Sequence, residues 1–346
     1  MTFILALGNR QQVIQISDRR VSWNGKLKND ETNKSGVLFC QDAHHIFSFT
    51  GLARWSEFST RDWLLNALYE CCPPDYRINS IISRLRERAT HDFNNLPELK
   101  NVPPRHKRLS VMFSGYNYHD NPPLGVNGVL TNYQDFETGK DSSEAWEQFQ
   151  MHCYTELRPL EHEFTFIQWA GAWQATKPED EASLRKLLLE LKPFQAISGK
   201  AVSLIRKIAD RPRAGKTIGK QLSIVIVRPD DPMHFLSRYD STVVGSTMYV
   251  PDWVVGFNNA LHFATKDTEV CVKKESVPKV WAIPRTRKNS LCLCKSGKKY
   301  KDCHGQEGGP LDINFMLTDL GLSGVPTTDR REQGKAHFEI KYKLRR

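Results

Sequence analysis

Residues 1–34 constrain this chain more than any other stretch, because they place a hydroxyl and a carboxylate on a hairpin of two short strands and an ammonium soon after it. Thr2-Phe3-Ile4-Leu5-Ala6-Leu7 and Val13-Ile14-Gln15-Ile16-Ser17 are apolar and rich in β-branched residues, and Gly8-Asn9-Arg10-Gln11-Gln12 reads as the turn between them. With Leu7 facing Val13 across that loop, Ala6 falls opposite Ile14, Ile4 opposite Ile16, and Thr2 opposite Asp18. Directly paired side chains lie roughly 4.5–5.5 Å apart at Cβ. The expectation is a carboxylate beside Thr2 on an otherwise apolar face.

The chemistry of that trio points to an N-terminal nucleophile. Removal of Met1 would leave Thr2 with both a γ-hydroxyl and a free α-amine. An α-amine titrates near roughly 7.7–8.0, so part of it is a neutral base at physiological pH. Nucleophile and base then share one residue. A cation at Lys34 favours deprotonation of both groups, and Asp18 compensates the burial of that cation. Two charges ~4 Å apart interact by ~4 kcal/mol at an effective dielectric near 20, so one lysine suffices to tune the site.

Thr2-Phe3-Ile4, the Ile16-Ser17-Asp18-Arg19-Arg20 end of the second strand, Lys34, and the apolar Ile46-Phe47-Ser48-Phe49-Thr50 leading into Gly51-Leu52-Ala53 resemble proteasome β subunits and HslV-type peptidases. These are N-terminal-nucleophile (Ntn) hydrolases. The resemblance implies an α+β fold, a four-layer αββα sandwich of two antiparallel sheets between helices. It implies Thr2 as nucleophile, Asp18 and Lys34 as charge partners, and the Gly51 N–H as oxyanion donor, in a threonine protease acting on a peptide or protein substrate. It leaves a homo-oligomer open. The chain departs from the pattern in later loops: Ala170-Gly171-Ala172 and Thr217-Ile218-Gly219 stand where hydroxyl-bearing and acidic helpers are usual, with Thr217 offering one hydroxyl. Arg54-Trp55 replace an acidic residue after Gly51.

A chain of 346 residues with 39% hydrophobic content is long enough for one large domain and an appendage, or for two domains, and its apolar content argues against wholesale disorder. It has no apolar run long enough for a membrane span and no secretory signal at its start, so the expected location is the cytoplasm with no membrane partner. Cys40, Cys71, Cys72, Cys153, Cys271, Cys292, Cys294 and Cys303 show no disulfide framework. The formal net charge of +10 suggests acidic partners without naming them.

Further along, Val37 to Cys40 and Ile46 to Thr50 read as strands, with His44-His45 in a polar turn between them. Two helices follow, Leu52 to Cys72 and Ile78 to Phe93, the second with Ile81, Ile82 and Leu85 on one side. A polar, proline-bearing connection leads to strands at Leu109 to Tyr116, Leu124 to Thr131, Cys153 to Leu157 and Phe164 to Trp169. Helices at Pro178 to Leu191 and Phe194 to Ala209 precede a strand at Gln221 to Val227. Helix pairs covering sheets make a mixed α/β or α+β domain. The boundaries read as a hydrolase domain over 1–258, a basic linker over 259–284, a zinc module over 285–306 and a tail over 307–346.

Near the end, Cys292-Leu293-Cys294 and, eight residues on, Cys303-His304 supply three thiolates and an imidazole. Such a closed tetrahedral set suits structural Zn²⁺ and leaves no position for activating water. The stretch resembles the SEC-C module at the end of the bacterial preprotein translocase motor, with Ser296-Gly297-Lys298-Lys299-Tyr300-Lys301 as the matching core. That resemblance implies docking on a protein partner or ribosome. Nucleic acid stays open because the surrounding stretch is basic, although it lacks stacking aromatics or a recognised nucleic-acid fold. Two other readings share this sequence: a catalytically silent binding protein recruiting partners through the zinc module, and a small-molecule amidase.

Overall fold

The computed structural model describes residues 3–23, 26–29, 32–118, 123–157, 165–214, 217–242, 245–247, 251–256, 261–263 and 299. Their fold is mixed α+β. The first two strands, β1 (Phe3–Asn9) and β2 (Gln12–Asp18), form a hairpin buried on both faces along its whole length. They sit in a six-stranded antiparallel sheet ordered Phe166–Gly171, β1, β2, Leu222–Arg228, Asp231–Ser241, Gly245–Thr247.

A seven-stranded sheet runs Gln150–Leu157, Leu124–Thr131, Leu109–Asn117, Ala43–Gly51, Ser35–Cys40, Asp252–Gly256, Leu261–Phe263. The Asp252–Gly256 strand is parallel to Ser35–Cys40.

The buried apolar residues separate into layers. Ile4, Ala6, Val13 and Val225 of the six-stranded sheet meet Ile46, Met112 and Val129 of the other, so the two sheets stack face to face. On the outer side of the six-stranded sheet, Leu5, Ile14 and Ile16 pack against α3 (Pro178–Leu189) and α4 (Phe194–Ala209). On the outer side of the seven-stranded sheet, Phe47, Val111 and Phe113 pack against α1 (Thr60–Cys71) and α2 (Ile78–Asn95).

The helices form where their apolar residues recur every three or four positions. In α2 these are Ile78, Ile81, Ile82, Leu85, Ala89 and Phe93, a stripe that faces the sheet while Arg84, Arg86 and Arg88 point elsewhere. Helix α1 begins later than its apolar residues suggest. Arg54–Trp55 and Phe58–Ser59 pair as a tight hairpin with Ser56 at a φ of 46°, and Ser59 Oγ then caps the helix by accepting from the Asp62 N–H at 3.4 Å.

His44 and His45 do not lie in a polar turn. The turn is Gln41-Asp42, and both histidines are inside the Ala43–Gly51 strand, 0% and 3% exposed. The His44 ring stacks on Phe39 at 4.5 Å, and His45 Nε2 pairs with Asn117 Oδ1 at 2.9 Å. In the two large sheets, four strands have no counterpart in the sequence reading: Asp231–Ser241, Gly245–Thr247, Asp252–Gly256 and Leu261–Phe263. Among the described residues no helix is long and apolar enough to cross a membrane.

Burial pulls the His45 imidazole down from 6.5 to about 4. The unfolded chain therefore takes up a proton at pH values where the folded chain does not, and stability falls as pH drops between those two values. At ~1.36 kcal/mol per unit the loss is on the order of 3 kcal/mol. Urea unfolding across that range should show this component in the wild type and not in His45→Leu.

Candidate functional site

Three chain segments converge at the end of β2. Asp18 is its last residue and is fully buried, as are Arg19 and Lys34. The Asp18 carboxylate accepts from two backbone amides, Phe3 N–H at 2.5 Å and Arg20 N–H at 2.8 Å. Lys34 Nζ lies 3.5 Å from Asp18 Oδ1 and also donates to the Arg20 carbonyl. Burial pushes the Asp18 carboxyl upward, and the Lys34 ammonium is the largest opposing influence, followed by the two amides.

Lys34 is held from both sides. Asn33 Oδ1 accepts from the Ser35 N–H at 3.2 Å while its Nδ2 donates to the Ser35 carbonyl at 3.1 Å and to Asp252 Oδ2 at 3.4 Å. Asp252 in turn takes a bidentate bond from Arg61, at 2.7 and 2.8 Å, which ties α1 to this corner. The Lys34 carbonyl accepts from the Phe49 N–H at 3.2 Å, so the strand ending at Gly51 runs directly beside the lysine.

Two glycines, Gly51 and Gly219, have no room for a side chain. Gly51 has a φ of +105°, and a Cβ there would meet the Arg108 carbonyl oxygen at 2.1 Å. Only glycine can turn the chain at that point, where Leu52 N–H bonds the same carbonyl at 2.7 Å. Gly219 lies against the other flank: a Cβ would come within 2.7 Å of Arg20 Cβ and 3.2 Å of Asp18 Oδ1. The Thr217-Ile218-Gly219 loop is thus adjacent to the pair, but the Thr217 hydroxyl is spent on the Ala214 carbonyl at 2.6 Å. Gly171 pairs with Phe3 across the sheet edge.

The structure therefore brings Asp18 and Lys34 together, with the strand that carries Gly51 alongside. Thr2 and the cysteine–histidine set Cys292, Cys294, Cys303 and His304 lie outside the described residues. The hairpin register differs from the expected one. Leu7 pairs with Ile14, Leu5 with Ile16 and Ile4 with Ser17. The cause is Asn9, whose Oδ1 accepts from the Gln11 and Gln12 amides at 2.9 and 3.1 Å and shortens the turn to Arg10-Gln11. Ile14 and Ile16 now face the helices, Gln15 and Ser17 face the other sheet, and Asp18 bonds the Phe3 amide.

Sequence reasoning missed the polar seam that this register creates. Ser17 Oγ is 2.7 Å from Ser35 Oγ, Ser35 Oγ is 2.8 Å from Ser48 Oγ, and Ser48 Oγ donates to Gln15 Oε1 at 2.7 Å. Gln15 Nε2 donates to Ser114 Oγ at 3.0 Å and reaches the Met112 carbonyl at 3.4 Å. All five side chains are buried, in the layer between the sheets. The available signal was Gln15 and Ser17 at period two inside a strand otherwise apolar on both faces.

A family model described as the SEC-C motif matches residues 289–306. No curated protein matches the chain by sequence. Among solved structures, it is similar to a chain from the helical assembly of the Anbu complex of Pseudomonas aeruginosa, at 12% identity and a TM-score of 0.41, over 65% of this chain and 81% of that one. It is also similar to Anbu (ancestral beta-subunit) from Yersinia bercovieri, at 12% identity and a TM-score of 0.40, over 65% and 81%. A Gly-1 mutant of Anbu from Hyphomicrobium sp. strain MC1 gives 11% identity and a TM-score of 0.39, over 66% and 82%. The resemblance to proteasome β subunits and HslV-type peptidases is corrected by these neighbours, which belong to a distinct, proteasome-like family. Likenesses of this size assign no activity.

Breaking the buried pair from one side should be costly. Asp18→Asn removes the counter-charge of a buried ammonium and turns an amide N–H toward one of the two backbone donors, so a loss of roughly 3–5 kcal/mol is expected. Lys34→Met leaves the carboxylate its two backbone N–H bonds and should cost less. Guanidinium unfolding of the two variants beside wild type checks the order.

Proposed function

We propose that the chain is an N-terminal threonine hydrolase that cleaves amide bonds through Thr2 after removal of Met1. The observation that carries this reading is the buried Asp18–Lys34 pair anchored on the Phe3 N–H. The nitrogen of Phe3 is bonded covalently to the carbonyl carbon of Thr2, so the carboxylate holds the peptide that joins Thr2 to β1. Its role is positional and electrostatic: it fixes the start of the strand and compensates the Lys34 charge. The lysine ammonium supplies a field that favours the neutral amine and the deprotonated hydroxyl of Thr2.

In the proposed reaction the Thr2 hydroxyl attacks an amide carbonyl and its own α-amine takes the proton. The Gly51 N–H donates to the oxyanion that forms. The amine then protonates the leaving nitrogen, and water releases the acyl group. A backbone donor of that kind contributes roughly 2.7–4 kcal/mol in comparable acyl-transfer sites. The layered arrangement supports the reading, since an Ntn-hydrolase sandwich likewise places its first strand in a sheet stacked on a second one, with helices outside both.

The SEC-C match supports a second, separable proposal. Cys292, Cys294, Cys303 and His304 hold one structural Zn²⁺, and the donor set of three thiolates and an imidazole fits that ion. The role proposed for this segment is docking on a protein partner.

Intact mass spectrometry with and without an epoxyketone, beside a Thr2→Ala control, tests the first proposal. Loss of Met1 and a single adduct dependent on Thr2 are expected. A retained Met1, or no adduct on a free Thr2, would overturn it in favour of a binding protein. For the second proposal, elemental analysis should find one zinc per chain in the wild type and less in Cys303→Ala, with Thr2 labelling unchanged.

A further inference from the structure

The first turn of α1 is bonded to both sides of the candidate site. Thr60, fully buried, reaches back to the segment that follows Gly51: its N–H donates to the Ala53 carbonyl at 3.1 Å and its hydroxyl to the Leu52 carbonyl at 2.5 Å. Arg61, the next residue, reaches the other way. Its guanidinium takes both oxygens of Asp252, and Asp252 Oδ2 accepts from Asn33 Nδ2 at 3.4 Å. The Asn33 side chain closes on the N–H and the carbonyl of Ser35, so Lys34 is the residue spanned between them. The Arg61 and Asp252 side chains are only 12% and 3% exposed, so water screens their bond little, and a bidentate pair fixes direction as well as distance. The sheet alone leaves this spacing loose. Pairing between the strands that carry Lys34 and Gly51 ends at Ser35 and Ser48, and beyond it one bond follows, from the Phe49 N–H to the Lys34 carbonyl.

We propose that the first turn of α1 is a brace that sets the spacing between Lys34 and Gly51, with Thr60 and Arg61 as its two positioning residues. Thr60 holds the chain as it leaves the Gly51 turn, and Arg61 holds Lys34 through Asp252 and Asn33. Because Lys34 in turn bonds Asp18, a shift of α1 reaches the buried charged pair. The functional meaning of the spacing rests on the hydrolase reading, in which Lys34 supplies the field and Gly51 the oxyanion donor. The brace itself stands on the bonds above.

Backbone amide exchange, read by NMR on the full chain, tests the brace through three reporters: Phe49 N–H on the Lys34 carbonyl, Arg20 N–H on the Asp18 carboxylate and Leu52 N–H on the Arg108 carbonyl. Arg61→Met keeps an apolar stem and removes the guanidinium, so Phe49 and Arg20 should exchange about tenfold faster or more while Leu52 keeps its rate. Thr60→Val should do the reverse. Adding Arg61→Met to Asn33→Ala should accelerate Phe49 and Arg20 no further than Asn33→Ala alone, since the link is already cut, and an additive effect overturns the route through Asn33. Arg206→Met breaks the bond of α4 to Asp240 and is the control, expected to leave all three reporters unchanged. An unmoved Phe49 in Arg61→Met overturns the brace. So does equal acceleration of Val225 in the middle of the other sheet, which would mean general loosening. Where Arg61→Met does not fold, Arg61→Lys, which bonds one carboxylate oxygen, should give the same pattern at smaller size, and its absence overturns the brace equally. No reporter depends on Thr2, so failure of the hydrolase reading, seen in epoxyketone labelling, is distinguished from failure of the brace.

Discussion

Asp18 and Lys34 are both withdrawn from water, and the rest of the site is arranged to make that tolerable. A charge moved into a protein interior is costly unless it is paired and its remaining bonding capacity is satisfied. Here the carboxylate receives two backbone amides as well as the ammonium, and the ammonium also bonds the Arg20 carbonyl. Those partners come from β1, from the segment after β2, and from the residue before the Ser35–Cys40 strand. The pair can persist only where the two sheets meet, and it draws the start of the chain, the end of the first hairpin and the second sheet to one place.

Around that corner the layer between the sheets is partly polar. Stacked sheets usually interlock apolar side chains, and most of this layer does so through Ile4, Val13, Ile46 and Met112. The seam from Ser17 to Ser114 interrupts it with hydroxyls and one amide whose hydrogen bonds run from one to the next. Apart from Ser35–Ser48, which joins neighbouring strands of one sheet, each of these bonds needs its partner on the opposite sheet at hydrogen-bond distance. A satisfied network in a low-dielectric layer therefore fixes the offset of one sheet on the other more narrowly than apolar contacts do. The same constraint fixes Lys34, which is covalently joined to Ser35.

Local pattern made several elements legible. The stripe of isoleucines, leucine and phenylalanine in α2, the repeat of Ile197, Ala201, Ile205 and Ile208 in α4, and the strand at Leu124–Thr131 follow from periodicity alone. The errors lie where a side chain overrode the pattern. Asn9 tightened the first turn and moved the hairpin register by one, His44 found an aromatic partner in the core, and the Arg54–Ser59 hairpin delayed α1. The Asp252–Gly256 strand escaped notice because its pairing partner is more than two hundred residues earlier in the chain.

The sequence by itself determined which residues could carry charge and hydroxyl chemistry near the start of the chain, and where the amphipathic helices run. Both depend on residue identity and on spacing within a few turns or strand positions, which the covalent chain sets directly. Only the tertiary structure decided that Asp18 meets the amide of Phe3 and the ammonium of Lys34, that Gly219 borders them, and that Gln15 joins the two sheets. Those contacts depend on strand register and sheet stacking. Register turned on the side-chain bonds of Asn9, and stacking on burial summed over residues far apart in sequence, so no short window of sequence contains them.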